Sequence, residues 1–385
     1  MELKEELIGR ARELRPMIAA SAAATEKNRG PLDENIAALR DAEIFSILSP
    51  KRYGGHELHV DSMVGVVREI AAACPSTGWV TAFYIGHNWF HSVFPQASQD
   101  EVFADQPYTL MSGQIAPTMT AERVTGGYEL SGQQSWSSGI SHAEWVLFNG
   151  LVSDAQEPPR LFLVPRHQVE VIDTWYIAGM CGTGSRDVAV DKVFVPEHHT
   201  LPFLSFMDGS HEGASVHKGP LYALPGPAVL YFEVMPVMAG ILRGAAESFV
   251  DMTQARITSY TGSGAATQPS AQMRAGRALA TTEAVDDMIN AAAARVVARD
   301  GTQQMTVNER AAVRMRASLV TKTARDTVND IALGAGGKSF LNDSPIQRYF
   351  RDINVLSTHA AFEYEPTTEL YGRLALGMDP GSPVV

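Results

Sequence analysis

QRYFRDINVLSTHAAF, from Gln347 to Phe362, is the most informative stretch of this chain. It opens the last of several alanine-rich helical patterns and carries an adjacent Arg351–Asp352 pair. His359 and Ala360 stand near its end. An imidazole can give or take a proton near neutral pH, so His359 is a candidate for proton handling. The plainer reading is an inert histidine that caps a helix turn.

Toward the N-terminus the same kind of pattern recurs. Helical periodicity runs over 228–260, 271–300 and 307–333, and again over 347–377; the loop TGSGAATQPS separates the first two. Four such faces are buried most simply in a four-helix bundle. Between about 108 and 218 strand signals replace helical ones. RVTGGYELSG (Arg123–Gly132) predicts a hairpin turning at Gly126-Gly127, WVLFNGLV and RLFLVP read as short apolar strands, and VEVIDTW and DVAVDKVFVP alternate with period two. Residues 1 to about 107 return to helical spacing, punctuated by Pro50, Gly54-Gly55 and Pro75, with an aromatic-rich helix over 74–94. The expected architecture is α+β and multidomain. It comprises an N-terminal helical domain (1–107), a central β-sandwich or barrel (108–218) and a C-terminal four-helix bundle (219–385).

Bulk properties narrow the function. The chain has 385 residues, 45% hydrophobic and 19% charged, with a net charge of -12. That balance offers no basic footprint for nucleic acid. Cys74 and Cys181 lack CxxC spacing, which favours a reducing, cytoplasmic setting. The start reads as a charged amphipathic helix (Leu3, Leu7, Ala11, Leu14) rather than a signal peptide. The most lipid-like segment, 228–242, contains Glu233 and Pro236 and falls short of the roughly 20 residues that span a bilayer. No membrane segment is expected.

Three stretches bear on chemistry. In GQQSWSSGISHAEWVLF (Gly132–Phe148), strand alternation would place Trp136 and Ser138 on one face, a ring beside a hydroxyl; a Ser-rich turn with a core Trp is the plain alternative. In IGHNWFH, His87 and His91 are four apart on one helical face. A metal pair would need a third ligand at suitable spacing, and none is apparent. Trp79, Phe83, Tyr84, Trp89 and Phe90 surround them, and helical spacing lets only some face a pocket. Gly334–Gly337 (GAGG) precedes Lys338-Ser339, but Ala332 stands where a Walker A glycine is required, so no NTPase is expected. The G-x-G-x-x-G and G-x-S-x-G patterns are absent.

These motifs and the order helices, strands, bundle resemble the acyl-CoA dehydrogenase superfamily over nearly the whole chain. Many dehydrogenases of that fold carry a catalytic Glu eight residues after the Asp of the Arg-Asp pair, where this chain has Ala360. WSSG with the following His142-to-Trp145 HxxW, and the GTGS of WYIAGMCGTGSRDVAVDKVFVP, are similar to one branch, the two-component flavin-dependent aromatic monooxygenases. The oxygenase components acting on p-hydroxyphenylacetate and dibenzothiophene belong to it.

The resemblance implies a homotetramer that takes reduced FAD or FMN from a separate NAD(P)H:flavin reductase. With O2 as co-substrate it would hydroxylate a phenolic or indole-like ring through a C4a-hydroperoxyflavin. It implies that Trp136 and Ser138 contact the flavin, Ser138 at N5, and that His359 lies beside the ring and assists proton handling. His87 would orient or deprotonate the substrate, with Phe83, Ser112 and His91 as further substrate contacts. Arg256 would reach a flavin phosphate, and Gly336 and Gly337 would cradle flavin from a neighbouring subunit. A desaturase using Glu233 as base, an N-oxygenase of the same fold and a non-catalytic relic are the alternatives.

Overall fold

The computed structural model describes residues 2–154, 157–257 and 262–382. Five helices come first: α1 (Glu2–Asn28), α2 (Asp33–Asp41), α3 (Val60–Ala73), α4 (Pro75–Ser92) and α5 (Gln96–Val102). Pro75 sits in the first turn of α4, where its missing N–H costs nothing, and Cys74 before it is extended. Every residue of α4 is buried, so this helix is a central strut rather than a surface element.

Seven strands follow: β1 (Met111–Val124), β2 (Gly127–Ser137), β3 (Trp145–Val152), β4 (Arg160–Pro165), β5 (Glu170–Ile172), β6 (Arg186–Pro196) and β7 (Thr200–Pro202). The strands that the sequence groups into a sandwich or barrel form one hydrogen-bonded sheet, in the order β5-β6-β2-β1-β3-β4-β7. β1 and β3 are parallel and the other pairs antiparallel. The expected hairpin is present, with Val124 opposite Gly127 and Gly126 in the left-handed region that its turn requires. The β2–β6 register slips between Gln134 and Ser137, an irregularity that re-aims the end of β2.

Two short helices, α6 (Phe203–Asp208) and α7 (Gly213–Val216), lead into the bundle of α8 (Gly226–Ala255), α9 (Pro269–Val297), α10 (Val307–Ala335) and α11 (Pro345–Leu356), with α12 (Tyr364–Ala375) against α10. The helix expected over 228–260 ends at Ala255, where Arg256 turns extended, and 258–260 lie outside the described residues. α8 is long and apolar enough to cross a membrane, yet 89% of its most apolar window is buried inside the protein, as expected of a core helix.

The expected helix over 347–377 is two helices with a turn between them. Pro366 tolerates only the first turn of a helix, so α12 must begin just ahead of it. α11 stops at Leu356. The Ser357 and Thr358 hydroxyls bond back to the carbonyls of Asn354 and Val355, and His359 caps a short 3-10 turn over Ala360–Phe362.

The Arg351–Asp352 pair ties α11 to the rest of the chain. Arg351 Nη1 donates to Ala178 O at 2.6 Å, and Arg351 also pairs with Glu26 of α1. Buried Asp352 accepts from Met180 N at 2.5 Å. Gly179 lies against the Arg351 backbone, where a Cβ would come within 2.4 Å of its carbonyl oxygen. The pair thus locks the loop 178–185 onto the helix that leads to His359.

Candidate active site

A cavity of about 770 Å³ opens between α4, the ends of β1 and β2, the loop 175–185, the start of α8 and the turn after α11. Its wall is mostly apolar with a few polar groups, the composition of a small-molecule site. Trp79, Phe83, His87 and Phe90 of α4 line it. At 3.6 residues per turn, a step of four overshoots a full turn by about 40° and a step of three falls about 60° short. Steps of four, four and three therefore keep these rings on one stripe.

His91, four beyond His87, falls off the far edge of that stripe and does not line the cavity. It is fully buried, stacks on Phe94 and contacts Ser98 O through Nε2 at 3.3 Å. The expectation of a substrate contact at His91 is corrected accordingly. Tyr84 and Trp89 are likewise core residues, bonded to the carbonyls of Gly139 and Leu221.

His87 is stacked between Phe83 and Phe90, at 5.0 Å from each. Its Nδ1 lies 2.8 Å from Met111 O. A carbonyl only accepts, so the proton sits on Nδ1 and Nε2 keeps its lone pair. Burial pushes the pKa down to about 4, so the ring is neutral at pH 7.

His359 has the opposite polarity. Its Nδ1 accepts from Ala361 N at 3.2 Å, which places the proton on Nε2 and makes it a donor. The ring packs edge-on to Trp79 and stacks on Phe362. More than a third of its surface is free and it lines the cavity, while the enclosing protein pushes its pKa down to about 4.

Trp136 and Ser138 both line the cavity, though not through strand alternation. β2 ends at Ser137, and Trp136 adopts φ +68 at the register slip, a costly conformation for a non-glycine residue. Its indole is 58% exposed and meets Trp175 edge-on at 5.2 Å.

Ser138 heads a chain of hydroxyls. Thr183 Oγ1 donates to Met180 O at 2.9 Å, which leaves it accepting from Ser185, and Ser185 accepting from Ser138, each at 2.7 Å. A hydroxyl has one proton and two lone pairs. Ser138 directs its proton to Ser185 and receives Trp79 Nε1–H at 3.0 Å. One lone pair remains, so Ser138 meets the cavity as an acceptor.

A reduced flavin ring fits these residues. Its N5–H is a donor that matches the free lone pair of Ser138, whereas the bare N5 of an oxidised ring is an acceptor. The exposed Trp136 indole offers a flat apolar partner.

Ser112 is placed differently from expectation. It is fully buried outside the cavity wall and donates to Ser138 O at 2.8 Å, so it holds the Ser138 backbone instead of touching substrate. Arg256 and Gly336 are brought together: Arg256 Nη1 donates to Ala335 O at 2.6 Å, and Gly336 lies beside the guanidinium at φ +82. Neither they nor Gly337 line the cavity. Glu233 does not line it either. Its carboxyl is buried against Gly86, where a Cβ would come within 1.7 Å of Oε1, and burial pushes its pKa well above the usual range.

Sequence reasoning missed the Trp79–Ser138 bond, Trp175, and Arg314 with Tyr231 at the bundle side of the cavity. Arg314 follows Val313, a buried α10 position, so periodicity alone marks it as a helix flank. The GTGS run (182–185) did signal Ser185.

The fold and site define a flavoprotein of the acyl-CoA dehydrogenase class. Residues 234–364 match the family model described as "Acyl-CoA dehydrogenase, C-terminal domain". The chain is 44% identical over 384 residues to a pigment production hydroxylase of Rhodococcus sp. (strain ATCC 21145), covering 99% of each. It is 30% identical to an FADH(2)-dependent resorcinol hydroxylase, oxygenase component, of Rhizobium sp. (strain MTP-10005), covering 97% of this chain and 95% of that one. The structure of XiaF from Streptomyces sp. in complex with FADH2 and glycerol superposes with a TM-score of 0.93 at 28% identity, covering 100% of this chain and 98% of that one. The chain belongs to the family of flavin-dependent monooxygenase oxygenase components.

Proposed function

We propose that this enzyme hydroxylates a phenolic or indole-like ring with reduced FAD or FMN delivered by a separate NAD(P)H:flavin reductase. One observation carries the reading: a neutral acceptor, His87 Nε2, and a neutral donor, His359 Nε2–H, belong to the same apolar cavity as the acceptor Ser138. The relative acting on resorcinol supports a phenolic substrate, and its designation as an oxygenase component supports the separate reductase.

Bound reduced flavin would supply two electrons to O2 and the oxygen-transferring C4a-hydroperoxide. One oxygen atom enters the product and the other leaves as water. The remaining work belongs to this chain. Ser138 accepts from N5–H, held by Ser112, Trp79 and Ser185. His87 Nε2, neutral and with its lone pair free, accepts the hydrogen bond of a phenol OH or indole NH, orienting the ring and drawing electron density onto it. His359 donates on the oxygen side. The aromatic wall of α4 excludes water.

Arg256 and the Gly336-Gly337 backbone would hold the phosphate end of a flavin bound by a neighbouring copy in a homotetramer. Exposed Leu333, Phe340 and Leu341 beside that loop support such packing.

Stopped-flow mixing of the enzyme–reduced flavin complex with oxygenated buffer tests the reading. A long-lived near-ultraviolet adduct followed by hydroxylated product is expected, and reoxidation without an adduct would overturn it. His359→Ala should weaken adduct formation. Glu233, buried away from the cavity, does not supply the base that a desaturase needs.

A further inference from the structure

Outside the cavity, one cluster has the donor set of a transition-metal site. Glu101 of α5 and the consecutive His198 and His199, in the 3-10 turn ahead of β7, bring one ligand atom each within 4.8 Å of one another. Both imidazole Nε2 atoms converge on one carboxylate oxygen, Glu101 Oε2, at 3.3 Å from His198 and 3.1 Å from His199. We propose that Glu101, His198 and His199 bind a zinc-type divalent cation that clamps α5 to the turn before β7.

The geometry supports this in three ways. Bonds of about 2.0–2.1 Å around a tetrahedral zinc place neighbouring donor atoms about 3.3 Å apart, so the observed separations already match a tetrahedral edge. Next, His199 is held from behind. Its Nδ1 lies 2.7 Å from Ser98 Oγ, and its ring packs on Trp145 at 5.2 Å, the kind of outer support that orients ligating histidines. Ser98 and Glu101 are three apart on α5, so one helix face supplies a ligand and the support of another. Finally, the donors are right for the ion. Two imidazoles and a carboxylate suit zinc, nickel or copper, and three protein ligands leave a fourth position for water. Glu101 and His198 are exposed enough to admit the ion.

The site lies apart from the cavity-lining residues, so the cation belongs to stability and not to oxygen chemistry. It would join the helical N-terminal segment to the edge of the sheet, across nearly 100 residues of intervening chain.

The test uses the full-length, chelator-treated protein titrated calorimetrically with Zn2+. One cation per chain is expected, with a thermal midpoint that rises on addition and falls back with chelator. Glu101→Gln and His198→Ala should each weaken binding beyond the about 10–100-fold typical of losing an outer support, and Ser98→Ala should weaken it within that range. Co2+ should give intense visible bands of a tetrahedral site in the wild type and not in either ligand variant. Unchanged circular dichroism and reduced-flavin binding would show that those variants are folded. The absence of stoichiometric binding, or binding undiminished in both ligand variants, would overturn the proposal.

Discussion

His87 and His359 are the same side chain, yet their backbones give them opposite polarity. His87 sits within α4 on the cavity wall and donates from Nδ1 to the carbonyl of Met111, at the start of the neighbouring strand. His359 sits in a turn between helices and accepts from the amide two residues on. One therefore offers Nε2 as an acceptor and the other as a donor. Which nitrogen of a histidine is left free is decided by the backbone group that its other nitrogen meets.

The largest effects are expected on removing each ring in turn. His87→Ala should lower product formation by about 10-fold or more, the loss of a substrate-orienting hydrogen bond of about 1.5 kcal/mol, while leaving reduced-flavin affinity and adduct formation in place. If His87→Ala abolished the adduct and His359→Ala spared it, the two assignments would be exchanged. A spectrally resolved stopped-flow record with product quantified by chromatography separates the cases.

Ser138→Ala comes next. Loss of one hydrogen bond of about 1 kcal/mol should weaken reduced-flavin binding about fivefold. Oxidised flavin should be affected less, because the free valence of Ser138 is an acceptor. Equal loss for both redox states, measured by equilibrium dialysis under anaerobic and aerobic conditions, would contradict the polarity of the hydroxyl chain.

The pH response sharpens the pair further. His87 has its pKa pushed down to about 4 from an ordinary 6.5. Between those values the unfolded chain binds a proton that the folded chain refuses, so stability should rise with pH across that window and be complete above it. Denaturant melts at pH 5 and pH 7 should show the loss at the lower pH. His87→Phe should reduce that pH dependence; an unaltered slope would assign it to other histidines whose pKa is pushed down, such as His59 and His217.

The smallest effect on turnover is expected at Glu233. Both of its carboxyl oxygens lack hydrogen-bond partners in the core. Glu233→Met removes a buried polar group of similar size, so hydroxylation should persist and the thermal midpoint should not fall. Loss of turnover with the fold intact would restore a functional role for this acid.

Much of the architecture was legible because periodicity reports burial directly. The switch from period 3.6 to period two and back marks where strands begin and end, and the hairpin turns at Gly126 as its glycine pair requires. The single helix over 347–377 misread a local signal that was present, Pro366. In the site, helical spacing put His87 and His91 on one face without choosing between them; the resemblance named His87, Phe83 and His91 together, and only the first two line the cavity. An i,i+4 rule carries an angular tolerance, and the cavity ends at Phe90. Ser138 was legible as a motif and wrong as geometry, because a register slip and a left-handed Trp136, not alternation, turn it to the cavity.

Residue types and spacing by themselves determined the element order, the family motifs and the presence of an imidazole where many dehydrogenases of the fold carry a glutamate. Only the tertiary structure decided which nitrogen of each histidine is free, that Ser112 supports Ser138, and that Glu233 is walled off by α4. Those outcomes depend on contacts between groups far apart in the chain, His87 with Met111 O and Ser112 with Ser138 O among them. Local periodicity encodes which face of an element is buried; it does not encode what that face meets.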